Sequence, residues 1–84
     1  MRKRIKKVMY RVFSIPIDEI PDDASVHSLA KWDSLGQIEL MLALEIEFNV
    51  RLSSDDMLTL LSLEAIASYL QDQEKSYNDA KSRL

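Results

Sequence analysis

A chain of 84 residues with 46% hydrophobic and 30% charged side chains fits one small globular domain with a single modest core. It has no cysteine and one histidine, which excludes disulfides, thiolate metal sites and any multi-histidine centre. The formal charge of −3 combines unlike parts: residues 1–13 hold six basic and no acidic side chains, residues 14–74 thirteen acidic against two basic, and residues 75–84 three basic against one acidic. An acidic body with basic ends disfavours nucleic acid and anionic membrane and favours partners with basic patches.

The first helix is written in "MRKRIKKVMYRVF", where Ile5, Val8, Met9, Val12 and Phe13 recur at helical spacing with Arg and Lys around them. It should end near Ser14, because Pro16 disfavours helical geometry at Ile15. The interleaved charges do not make a signal peptide. No apolar run approaches the ~20 residues of a membrane span. A cytoplasmic address without stable membrane insertion is therefore expected. The +6 charge of this helix reads most simply as a solvated face, the other reading being a contact with a membrane-bound or acidic partner.

Residues 14–33 form a long connection with two prolines and a cluster of carboxylates. Ile17, Ile20, Val26, Leu29 and Trp32 are its candidate anchors, so an ordered loop with a short turn of helix is expected. The second helix runs from about Ser34 to about Asn49. Asp33 or Ser34 can cap it, and Ser34 with Gln37 has the S-x-x-Q spacing of a capping box. A short third helix is expected in "SSDDMLTLL", capped by Ser53 or Ser54, with Asp55 and Asp56 in its first turn. The fourth begins after Ser62 and turns Leu63, Ile66, Ala67 and Leu70 to the core. Beyond Asp72 the apolar period is lost, so residues 75–84 read as a helical extension or a frayed tail on a domain of residues 1–74. The fold class expected is an all-α, small four-helix bundle.

The second helix carries more apolar residues than one face can bury. Leu40, Leu44 and Phe48, flanked by Met41 and Ala43, make a core stripe, whereas Leu35, Ile38, Leu42 and Ile46 fall on the side of Ser34, Glu39 and Glu45. A helix buried all round would account for both stripes. Carboxylates among the second stripe instead favour an exposed docking face. Ser34 itself has the composition of an ordinary helix cap. Hydrolase chemistry has little support, since only His27 and Asp33 are near it and no G-x-S-x-G elbow is present. The carboxylates of residues 18–23 and 55–56 do not follow a calcium-loop spacing. His27 reads as a loop or surface residue.

The stretch "DSLGQIELMLALEIEFNVRL" resembles the signature of acyl carrier proteins, the phosphopantetheine-bearing carrier superfamily. An Asp-Ser-Leu triplet opens the second helix, Ile38, Glu39 and Leu40 follow, and then Ala43, Leu44, Glu45 and Phe48. The loop "IDEIPDDASV" and the last helix with "SLEAIASYL" extend the resemblance over roughly residues 5–72. It implies that Ser34, flanked by Asp33 and Leu35, is the attachment site of 4′-phosphopantetheine, placed there from coenzyme A by a phosphopantetheinyl transferase. The arm's thiol would carry an acyl or aminoacyl thioester between activating and transferring enzymes. The chain would be a monomeric carrier without catalysis of its own. Ile38, Glu39, Leu42, Glu45, Ile46 and Asp56 would form the recognition face. Gly36 stands where fatty-acid-type carriers are often acidic, and Ile46 interrupts their acidic run. With Trp32, these departures resemble carriers of polyketide, nonribosomal peptide, aminoacyl or polysaccharide pathways. An unmodified helical adaptor of the same fold is the alternative.

Overall fold

The computed structural model describes residues 1–82, and side chains through Gln73. Four helices follow in order, α1 (Arg2–Phe13), α2 (Ser34–Phe48), α3 (Ser54–Thr59) and α4 (Leu63–Ser82), with a 3₁₀ turn at Ile17–Glu19. This is the all-helical bundle that the apolar periodicity predicts. Ile5, Val8, Met9 and Phe13 of α1 meet Leu40, Met41 and Leu44 of α2 and Leu63, Ile66, Ala67 and Leu70 of α4 in one core. Val12 and Phe48, at the margins of their stripes, are half-buried.

Helix ends follow local chemistry. Ser14 adopts a left-handed conformation (φ 58°) and its N–H returns to the Tyr10 carbonyl, so α1 stops two residues before the proline. Asn49 ends α2 in the same way (φ 52°), a conformation that asparagine tolerates better than most residues. In α3, Ser53 Oγ accepts from the Asp56 N–H and Asp56 Oδ2 accepts from the Ser53 N–H, a reciprocal capping box. A six-residue helix is marginal alone, so its ends must be held by neighbours. The backbone of α4 is helical from Leu63 to Ser82. Residues 83–84 lie outside the described residues.

The long connection is pinned rather than loose. Ile20, Ala24 and Trp32 are buried, and Val26 and Leu29 pack against the core. Ile15 packs there too, whereas Ile17, expected as an anchor, is only half-buried and lies outside that cluster. The Val26 N–H donates to the Leu61 carbonyl and the Leu63 N–H to the Ala24 carbonyl, so the loop is stitched to the α3–α4 junction. Lys6 Nζ also holds Asp22 at 2.7 Å. Glu47 of α2 accepts from both Arg4 and Arg11 along α1, and the Arg4 guanidinium lies 4.3 Å from the Phe48 ring centroid.

Candidate functional site

The start of α2 is set by a buried aromatic and an obligatory glycine. The Trp32 ring lies 6.1 Å from that of Phe13, fixing the chain just before the helix. Asp33 then takes the extended cap conformation, and its Oδ1 accepts from the Gly36 N–H at 2.8 Å. A Cβ at Gly36 would run into the Lys31 carbonyl oxygen and lie 2.9 Å from Phe13 Cε1. Glycine is therefore required by close packing of α1 and the loop on the first turn of α2. Because Asp33 is the cap, Ser34 occupies the first helical position, exposed. No hydrogen bond to Ser34 Oγ is formed among the described residues.

The capping box expected of Ser34 and Gln37 does not form. Gln37 points inward instead, and its buried amide joins three elements. Its Oε1 accepts from Trp32 Nε1 at 2.6 Å, and its Nε2 donates to the carbonyls of Met57 at 2.9 Å and Leu60 at 3.0 Å. Those carbonyls belong to the end of α3, where the helix cannot satisfy them itself. Indole donates only, so the amide orientation follows from the network.

Between α2 and α3 lies a cleft of about 720 Å³, lined by Val26, Trp32, Ile38, Met57, Leu58 and Leu61, with Ser34 and Ser54 on its wall. Its lining is chiefly apolar. His27, read as a loop residue, is exposed at its edge. The second stripe of α2 lies open to solvent: Leu35 is 64%, Ile38 49%, Leu42 49% and Ile46 84% exposed. With Leu58 of α3 and Leu61 just after it, these form most of the exposed large apolar side chains among the described residues.

The acidic members of the expected recognition face divide. Glu39 is exposed and makes no hydrogen bond or ion pair among the described residues. Glu45 Oε2 accepts from the Leu52 N–H at 2.8 Å, holding the turn after α2. Asp56 accepts from Ser53 and from the Tyr69 hydroxyl. Its carboxyl is held below the ordinary aspartate range, first by the Ser53 backbone N–H and then by Tyr69. The Tyr69 hydroxyl is pushed up, by burial first and then by Asp56. Gln37 and Gly36 are the structural keys that sequence spacing did not expose.

A four-helix bundle with an exposed, unpartnered serine at the mouth of its central helix, beside an apolar cleft, has the architecture of a carrier module. The phosphopantetheine attachment site family model matches residues 3–70, and the chain belongs to that family. It is 29% identical over 75 residues to the acyl carrier protein of Buchnera aphidicola subsp. Schizaphis graminum (strain Sg), covering 89% of this chain and 95% of that protein. It is 30% identical over 71 residues to the acyl carrier protein of Buchnera aphidicola subsp. Acyrthosiphon pisum (strain Tuc7), covering 84% of this chain and 89% of that one. The chain is thus a carrier without catalytic activity of its own, with covalently attached 4′-phosphopantetheine as its cofactor. Partners of the family include a phosphopantetheinyl transferase and acyl-handling enzymes. No helix of the described residues is long and apolar enough to cross a membrane.

The residues present fit that group. Ser34 offers a hydroxyl that no protein atom engages among the described residues. The first turn of α2 contains no carboxylate beyond its Asp33 cap, and helix N-termini favour an anion such as a phosphodiester.

Proposed function

We propose that Ser34 is the residue that carries 4′-phosphopantetheine, and that the chain delivers an acyl or aminoacyl group between enzymes of a specialised pathway. The observation that carries this is the exposed Ser34 hydroxyl at the first position of α2, bordering the apolar cleft. Ser54 also opens a helix onto that cleft, but Asp55 and Asp56 fill the first turn of α3 and disfavour a phosphate there. When bound, the group supplies a thiol that holds cargo as a thioester, which this cysteine-free chain cannot supply.

Asp33 orders the helix start, Gly36 lets it pack, and Leu35 stands beside the serine. The face that presents Ser34 is the stripe of Leu35, Ile38, Leu42 and Ile46 with Glu39 at its side. Glu45 and Asp56 shape this face through their own backbone contacts. A docking surface so poor in free carboxylates suits dedicated partners better than the acidic pattern of fatty-acid-type carriers, which supports the specialised-pathway reading. The expected setting is a cytoplasmic monomer that meets each enzyme briefly.

Incubation of the full chain with coenzyme A, magnesium and a broad-specificity phosphopantetheinyl transferase tests the assignment by intact mass. One phosphopantetheinyl group should be added to the native chain and none to Ser34→Ala. Absence of any gain on a folded chain, with a transferase active on a control carrier, would overturn it.

A further inference from the structure

The six basic side chains of α1 fall into two groups. Arg4 and Arg11 are engaged by Glu47, and Lys6 by Asp22. Arg2, Lys3 and Lys7 are exposed and contact no carboxylate among the described residues. At 100° per residue, Lys3, Lys7 and Tyr10 share the ridge of the helix directly opposite its buried stripe. Tyr10 is 48% exposed there, well away in sequence from the exposed apolar side chains of α2, α3 and the α3–α4 junction. The result is a convex strip of free cations around a half-exposed phenol.

We propose that this ridge of α1 is a peripheral docking surface for anionic lipid headgroups. Charge complementarity selects an anionic partner, and the kind of cation selects lipid. The planar guanidinium forks of Arg4 and Arg11, suited to bidentate recognition of a fixed protein carboxylate, already hold Glu47. What stays free on the ridge itself is chiefly ammonium groups on flexible stems. These act as point charges toward mobile anions of no set spacing. Each Lys or Arg held near an anionic leaflet is attracted by about 1 kcal/mol, and tyrosine favours the membrane–water interface. The apolar face of α1 remains in the core, so the contact is electrostatic and superficial.

The acidic body does not prevent such a contact. Charges farther from the surface than a Debye length, ~8 Å at physiological salt, are largely screened. The nearest opposing groups are Asp18 and Glu19 on the 3₁₀ turn packed beside α1, and Asp22 and Glu47, which are already paired. These confine the attractive strip to the ridge. The cleft beside Ser34 is lined by no residue of α1, so a chain held by this ridge keeps the cleft open to enzymes.

Flotation of the full chain with equimolar phosphatidylglycerol–phosphatidylcholine vesicles, against phosphatidylcholine alone, provides the test. Binding is expected only with phosphatidylglycerol at low ionic strength and should vanish near ~1 M salt. Each basic group near an anionic surface is worth about fivefold in partition. Lys3→Glu with Lys7→Glu should therefore reduce binding at least tenfold while leaving Trp32 fluorescence native. Arg51→Glu, an exposed cation outside α1, should bind as the native chain does. Equal binding to both vesicle types, no binding to either, or an unchanged double variant would overturn the proposal. So would concentration-dependent self-association that the double variant abolishes in the absence of vesicle binding, since it would assign the ridge to a second copy of the chain.

Discussion

Gln37→Leu isolates the contribution of the amide that joins α2, Trp32 and α3. Leucine conserves most of the side-chain volume, so the cost is polar rather than a cavity. Three hydrogen bonds are lost, one from the buried Trp32 N–H and two to carbonyls at the end of α3. A typical bond contributes about 0.5–1.5 kcal/mol net, and a buried group left without a partner costs about 1–3 kcal/mol. The Met57 carbonyl is only partly buried and recovers water, which holds the expected loss to about 2–4 kcal/mol. That is a large share of the stability of a small domain. Urea unfolding followed by the fluorescence of Trp32, the only tryptophan and 1% exposed, reads it directly. With a slope of about 1 kcal/mol/M, the midpoint should fall by about 2 M or more. A loss under about 1 kcal/mol would refute the view that this amide holds α3 in place.

Other outcomes follow from the same geometry. Gly36→Ala gains about 1 kcal/mol of helix propensity but overpacks against the Lys31 carbonyl and Phe13, for a net loss of about 1–2 kcal/mol in urea unfolding; a neutral or stabilised variant would show that the close approach is not real. Because the folded-state pKa of Asp56 is lowered, its contribution is full above the ordinary aspartate value of about 4 and is lost as pH falls through the lower folded value. Glu47, held down by Arg11 and then Arg4, and Asp22, held down by Lys6, act in the same direction. The urea midpoint should thus fall on acidification below that range, and less steeply in Asp56→Asn; a midpoint that rises would contradict the sign. Ile38→Ala and Glu39→Lys should slow transferase modification while leaving the circular dichroism spectrum and unfolding midpoint near native, and unchanged rates in both would misplace the docking stripe.

Much of this arrangement is legible locally. The α1 stripe, the double stripe of α2, and the apolar period of α4 each encode a helix and its buried face within one short window. The Ser53 cap and the first-turn aspartates do the same for α3. What escapes the sequence is side-chain direction where two roles share one spacing. Gln37 stands where a capping box would place it, yet Asp33 already caps the helix, and the amide finds better partners among Trp32, Met57 and Leu60. Gly36 reads as a missing charge, but its cause lies in Phe13 and Lys31, brought close only by folding. Glu45 looks like a free surface charge until the chain turns and presents the Leu52 N–H to it. Ile17 reads as an anchor, but it opens the 3₁₀ turn and stays outside the core cluster, which Ile15 joins instead.

The most direct test of the central claim is localisation of the added group on the modified chain by proteolysis and fragment mass spectrometry. The account predicts phosphopantetheine on the peptide containing Ser34, with fragments that place it on that serine. The same group on Ser54, the other helix-opening serine on the cleft wall, or on any other hydroxyl would contradict it.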